Sequence, residues 1–246
     1  MRWLIYGALV FVIALIATIV SLPTSFVMEQ VRKQDSRIGY SVASGTIWNG
    51  EVRGLRVSSQ PVGDLTLKAD WMSLFTGGLA SELSVFGDGI AGRGKLKLGL
   101  TGTVRISDLR VSGSTSDLVS IRPEIRELNG QFTFDAQDIR LGNGECRSAS
   151  GTVWTDILTR MESQWRWAGP ELAGPLTCQN GQFVLQLAGT NSVGESVSAS
   201  LEFGLDAHGQ FQAIIENGRQ RTQNALSMLG FVERDGRFVY EHSMPG

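Results

Sequence analysis

The chain has 246 residues, 22 Lys+Arg against 24 Asp+Glu, a formal charge of -2 and 30 glycines. That length is enough to bury a core, and charges this balanced and interspersed exclude an electrostatic case for nucleic-acid binding. Hydrophobic residues at 42% together with the glycines describe a folded, turn-rich chain and exclude a disordered one.

Trp3 to Leu22 is an uncharged apolar run of 20 residues, ended by Pro23. At about 1.5 Å per residue a helix of that length spans roughly 30 Å, the thickness of a bilayer's hydrocarbon core. A cleaved signal peptide would have a shorter apolar region of ~7–15 residues and a small-x-small site. Ser21-Leu22-Pro23 supplies no such site, so the run reads as an uncleaved signal anchor. Residues 1–24 are assigned to this transmembrane anchor, 25–38 to a polar juxtamembrane linker that extends the helix, and 39–246 to a β domain. Flanking charge alone, Arg2 before the run and Arg32, Lys33 and Arg37 after it, would leave the domain in the cytoplasm. The short N-terminus and the extracytoplasmic character of the remainder favour export, and that orientation is adopted.

From residue 39 onward, period-2 alternation dominates, as half-buried strands require. Leu65, Leu67, Ala69 and Trp71 share one face; Leu96, Leu98 and Leu100 follow, then Val104 and Ile106, then Phe132, Phe134 and Ala136. Later come Phe183, Leu185, Leu187, then Val197 to Leu205, then Phe211, Ala213 and Ile215. Trp71 to Leu74 predicts a short turn, Thr222 to Leu229 a short helix stopped by Gly230, and Arg234-Asp235-Gly236-Arg237 the turn of a terminal hairpin. One phrase occurs twice: Ala43-Ser44-Gly45-Thr46-Ile47-Trp48 returns as Ala149-Ser150-Gly151-Thr152-Val153-Trp154. The expected fold is all-β, a mostly antiparallel, twisted, extended sheet of two related halves, about 39–140 and 145–246, behind one transmembrane helix. A sheet with one apolar face and no helices to cover it must close on itself, pair with a second sheet, or hold something apolar.

Cys146 and Cys178 flank the second copy of the phrase. In an oxidising compartment the pair suits a disulfide; two buried free thiols are the alternative. With only His208 and His242 available, metal ligation is not expected. Trp48, Trp71, Trp154, Trp165 and Trp167 read as core anchors, each ring removing about 150–250 Å² from water, with an aromatic binding platform as the alternative. Gly87-Asp88-Gly89-Ile90-Ala91-Gly92 fits G-x-G-x-x-G, but Lys95-Leu96-Lys97-Leu98 continues as a strand where a phosphate-cradling loop needs a helix. No G-x-S-x-G elbow or paired carboxylates stand out. The chain therefore reads as no enzyme, with no catalytic, cofactor-binding or metal residues and no cofactor.

The short anchor, Ser44-Gly45-Thr46-Ile47-Trp48-Asn49-Gly50 soon after it, and the stretch Trp167 to Gly181 resemble the type II secretion system protein N family. That resemblance implies a single-pass inner-membrane accessory component with its C-terminal β domain in the periplasm. Its partners would be other secretion components of the inner membrane and periplasm, and its work assisting export of folded proteins across the outer membrane. The family implies no catalytic residues. In layout the chain is also similar to membrane-anchored β proteins of the AsmA type, which implies an alternative: binding or transfer of lipid in the envelope.

Overall fold

The computed structural model describes residues 21–87, 89–99, 101–119, 123–162, 167–206, 208–218, 226–227 and 230–244. The expected membrane span therefore lies, apart from Ser21 and Leu22, outside the described residues. Among those described, no helix is long and apolar enough to cross a membrane.

Helix α1 (Thr24–Gln34) opens the described chain after an extended Pro23. Strands β1 (Ile38–Gly39), β2 (Val42–Thr46), β3 (Asn49–Val57) and β4 (Gln60–Asp70) follow, then a 3-10 turn at Trp71–Thr76. Next come β5 (Gly78–Gly87), β6 (Ile90–Gly99), β7 (Val104–Ser114), β8 (Gln131–Gly142) and β9 (Glu145–Thr155). The series ends with β10 (Leu172–Gln179), β11 (Gln182–Thr190), β12 (Ser196–Phe203), β13 (Gly209–Glu216), β14 (Val232–Arg234) and β15 (Arg237–Met244). Among the described residues these form one 15-stranded sheet in which every ladder is antiparallel. From β3 to β13 each strand pairs with its successor in the chain, and β15 and β14 complete the far side. Asn143-Gly144, Asn180-Gly181 and Asp235-Gly236 supply the paired positive-φ residues that two-residue hairpins need.

Register carries the apolar alternation across the whole sheet. Leu65 opposes Val85, Leu96 opposes Ile106, and Ile106 opposes Ile139. Leu176 opposes Leu185, Leu185 opposes Leu201, and Leu201 opposes Phe211. One face is therefore predominantly apolar, with Ser81 and His242 among its polar members. It is not evenly covered. Over β9 to β15 Leu128, Met161, Trp167 and Leu226 pack across one end with Leu172, Val197, Ile215 and Phe238 in one buried cluster. A second cluster joins Ala136, Ile139, Cys146, Leu176 and Phe183. Over β4 to β7 the same face shows Leu65, Leu67, Leu83, Val85, Leu96 and Val104 only half-buried, as side chains in a single layer are. The expected face of Leu65, Leu67, Ala69 and Trp71 loses its last member: β4 stops at Asp70, and Trp71 turns outward into the 3-10 segment.

The two copies of the recurring phrase take unlike conformations. The first occupies β2 and its turn into β3, with Gly45 at φ 81. The second lies wholly within β9, an interior strand. There Gly151 serves close approach: a Cβ would come within 2.8 Å of the Asp135 carbonyl oxygen on β8. The predicted helix at Thr222–Leu229 falls largely outside the described residues. Of that segment Leu226 is fully buried.

Candidate interaction surfaces

The polar face is built by the residues that alternate with the apolar ones. A transverse irregularity crosses it: the β6–β7 register shifts between Arg93 and Lys95, Asp108 has φ 52, and the β8–β9 register shifts between Ala136 and Asp138. Bulges bend the strands that carry them, and here they form a trough of about 700 Å³ lined by Glu82, Arg93, Lys95, Asp108, Arg110 and Asp135. Lys95 Nζ donates to Asp108 Oδ2 at 2.9 Å, and Arg110 donates to Asp135. Each pairing raises the basic partner's pKa, through the hydrogen bond first and charge attraction second. Matched acids and bases of this kind hold neighbouring strands together across a solvated sheet.

Charge on this face is not balanced everywhere. Arg93 stands directly opposite Arg110, Lys97 opposite Arg105, and Arg105 opposite Arg140. Like charges so placed repel. Asp138 relieves the last pair by accepting hydrogen bonds from both Arg105 and Arg140. The Arg105 guanidinium, ahead of Arg140, holds the Asp138 carboxyl below the usual aspartate range.

The candidate residues separate by environment. Cys146 and Cys178 form a disulfide, with Cα atoms 5.8 Å apart. The β9–β10 ladder ends at Gly151 and Leu176, and the bond ties the strands together beyond that point. Trp167 is 5% exposed, and its Nε1 donates to the buried Glu195 Oε2 at 2.8 Å. Asn191 Nδ2 donates to the same oxygen at 2.8 Å. Trp154 is half-buried and donates to Glu171 Oε2 at 3.0 Å. Trp48 is half-buried in the β2–β3 turn. Trp71 departs from the core expectation: it is 59% exposed, because the chain leaves the sheet at Asp70. Trp165 lies outside the described residues.

Gly87 at the end of β5 pairs with Ile90 at the start of β6, so a strand follows these glycines where a phosphate loop needs a helix. A Cβ at Gly89 would come within 1.7 Å of Asp117 Oδ2. His208 sits in the exposed β12–β13 turn beside Asp206. Among the described residues no three His, Cys, Asp or Glu gather as a metal site.

The sheet's two edges differ. Along β2, α1 covers the edge, with Thr24 packed over Gly50 and Pro23 bridged to Thr46. At the other, Val232, Glu233 and Arg234 of β14 are all exposed. Sequence reasoning reached neither this contrast nor the bulged trough, because both depend on which strands end the sheet and where registers slip.

A family model described as type II secretion system (T2SS), protein N matches residues 36–240. No curated protein and no solved structure matches the chain.

Proposed function

The chain belongs to the type II secretion system protein N family, and on that premise we propose that it is an inner-membrane accessory component of that machinery. Trp3–Leu22 is the single-pass anchor, and the sheet is a periplasmic interaction module. The observation that carries the interaction reading is the unequal treatment of the two edges. One is capped by α1, and the other ends in the short, exposed strand β14. Exposed edges accept an added strand from a partner through main-chain hydrogen bonds. The Cys146–Cys178 bond supports an oxidising, extracytoplasmic compartment.

A second reading rests on a different observation. The apolar face of β4–β7 is half-exposed, and a lipid-carrying β protein would use such a face for acyl chains. One experiment separates the two. The detergent-solubilised chain, captured at native expression, is read by mass spectrometry for proteins and lipids together. Inner-membrane secretion components without retained lipid support the assembly role. Near-stoichiometric phospholipid without secretion components supports the carrier.

A further inference from the structure

The 3-10 turn Trp71–Thr76 displays apolar side chains from a rigid support. Trp71 and Met72 are each 59% exposed and Leu74 45%. Asp70 Oδ1 accepts the Met72 N–H at 2.9 Å. The buried Ser73 hydroxyl donates to the Asp70 carbonyl and accepts the Ala80 N–H at 2.8 Å, and Gly77 closes the turn at φ 84. The outward aim of these side chains is thus held by four residues around them.

The position of this turn identifies what it faces. Ile47 N–H donates to the Leu22 carbonyl at 3.1 Å, and Ala69 N–H donates to the Trp48 carbonyl at 3.0 Å. Backbone hydrogen bonds therefore step from the last residue of the apolar run, through the β2–β3 turn, to the end of β4. Asp70 and the Trp71 turn follow at once. With strands about 4.8 Å apart, the turn stands roughly 10–15 Å to the side of the point where the apolar run joins the domain. Phe26 and Val27, on the first turn of α1, and Leu98, near the end of β6, are exposed at the same end. Behind this apolar rim, Lys68 and Lys97 project on the polar face, Lys68 opposite Glu82 and Lys97 opposite Arg105, whose guanidinium is engaged by Asp138. Sheet twist turns later strand ends progressively away, so the strands nearest the apolar run, β2–β7, are the ones that share its side.

The geometry points to Trp71–Leu74 as an interfacial foot that seats this end of the sheet in the headgroup–acyl boundary of an anionic bilayer. This rests on the anchor reading of Trp3–Leu22. An indole ring with an apolar body and one polar N–H favours that boundary, and the lysines behind it match anionic headgroups. The foot fixes the tilt of the sheet relative to the membrane instead of leaving the domain to swing on its anchor.

The test uses the full chain in vesicles of phosphatidylcholine and phosphatidylglycerol. With both native cysteines in the disulfide, Met72→Cys and Leu74→Cys can each be labelled with an environment-sensitive fluorophore under non-reducing conditions. Phe86→Cys is the control, 66% exposed and at the opposite end of β5. Nitroxide-bearing lipids should quench the labels at 72 and 74 roughly threefold or more beyond the label at 86. Equal quenching at all three, or water-like emission at 72 and 74 in protein that resists carbonate extraction, would overturn the foot and leave the anchor standing. Release by carbonate with water-like labels would overturn both.

Discussion

Trp167 is the aromatic side chain whose loss should cost most, because it is nearly fully buried and also positions Glu195. Trp167→Ala should destabilise the full chain by about 3–5 kcal/mol. Trp48→Ala and Trp154→Ala, at half-buried sites, should cost less, and Trp71→Ala should stay within about 0.5 kcal/mol. Urea unfolding of the four variants in detergent gives the order directly, and a large loss at Trp71 would contradict the outward turn. Asp138 makes a prediction of another kind. Its folded-state pKa is depressed, first by the Arg105 hydrogen bond. Its stabilisation is therefore present above the unfolded aspartate value of about 3.9 and is lost as pH falls through the lower folded value. The stability gap between the wild type and Asp138→Asn should accordingly be open at neutral pH and close in acid. A gap that widened in acid would contradict the assignment. The same residue explains how Arg105 and Arg140 tolerate standing opposite each other.

At the scale of elements, β9 and β10 need more than their ladder. They pair only from Thr155 and Leu172 to Gly151 and Leu176, and the disulfide holds them beyond it. In the chain-entropy account, closing a separation of 32 residues stabilises by about 3–4 kcal/mol. Reduction should lower the urea midpoint accordingly, and Cys146→Ala/Cys178→Ala should match the reduced protein. Most strands were legible from alternation, since a period of two is a local property that survives whatever the strand packs on. The Asp235-Gly236 hairpin was legible for the same reason, its positive-φ requirement being met within four residues. The recurring phrase takes two conformations because its residues meet different neighbours. Gly45, at φ 81 in β2, lies against the Asn49 carbonyl of β3, whereas Gly151 has no such left-handed backbone and makes room for β8. Trp71 continues the alternation of β4 on paper, but Asp70 and Ser73 cap a turn there and aim the ring outward.

Among the described residues the sheet is covered at one end over β9–β15 and half-exposed over β4–β7, and its stability should be graded to match. Each strand from β4 to β12 pairs only with its sequence neighbours, so opening one part need not open the others. Over β10–β13 Trp167 and Leu226 add a second layer, while among the described residues β4–β6 have their ladders and mostly half-exposed side chains. Amide hydrogen exchange should therefore run about tenfold or more faster in β4–β6 than in β10–β13. Uniform protection would mean that the bare face is covered in solution by something other than this chain. The measurement also separates the two functional readings. Acyl chains lying on the apolar face of β4–β7 would slow exchange there when phospholipid is supplied, since they dehydrate that face and leave β14 unchanged. A partner strand added at β14 would slow exchange in β14 and β15 and leave β4–β7 fast, because hydrogen bonds at one edge do not cover a face many strands away.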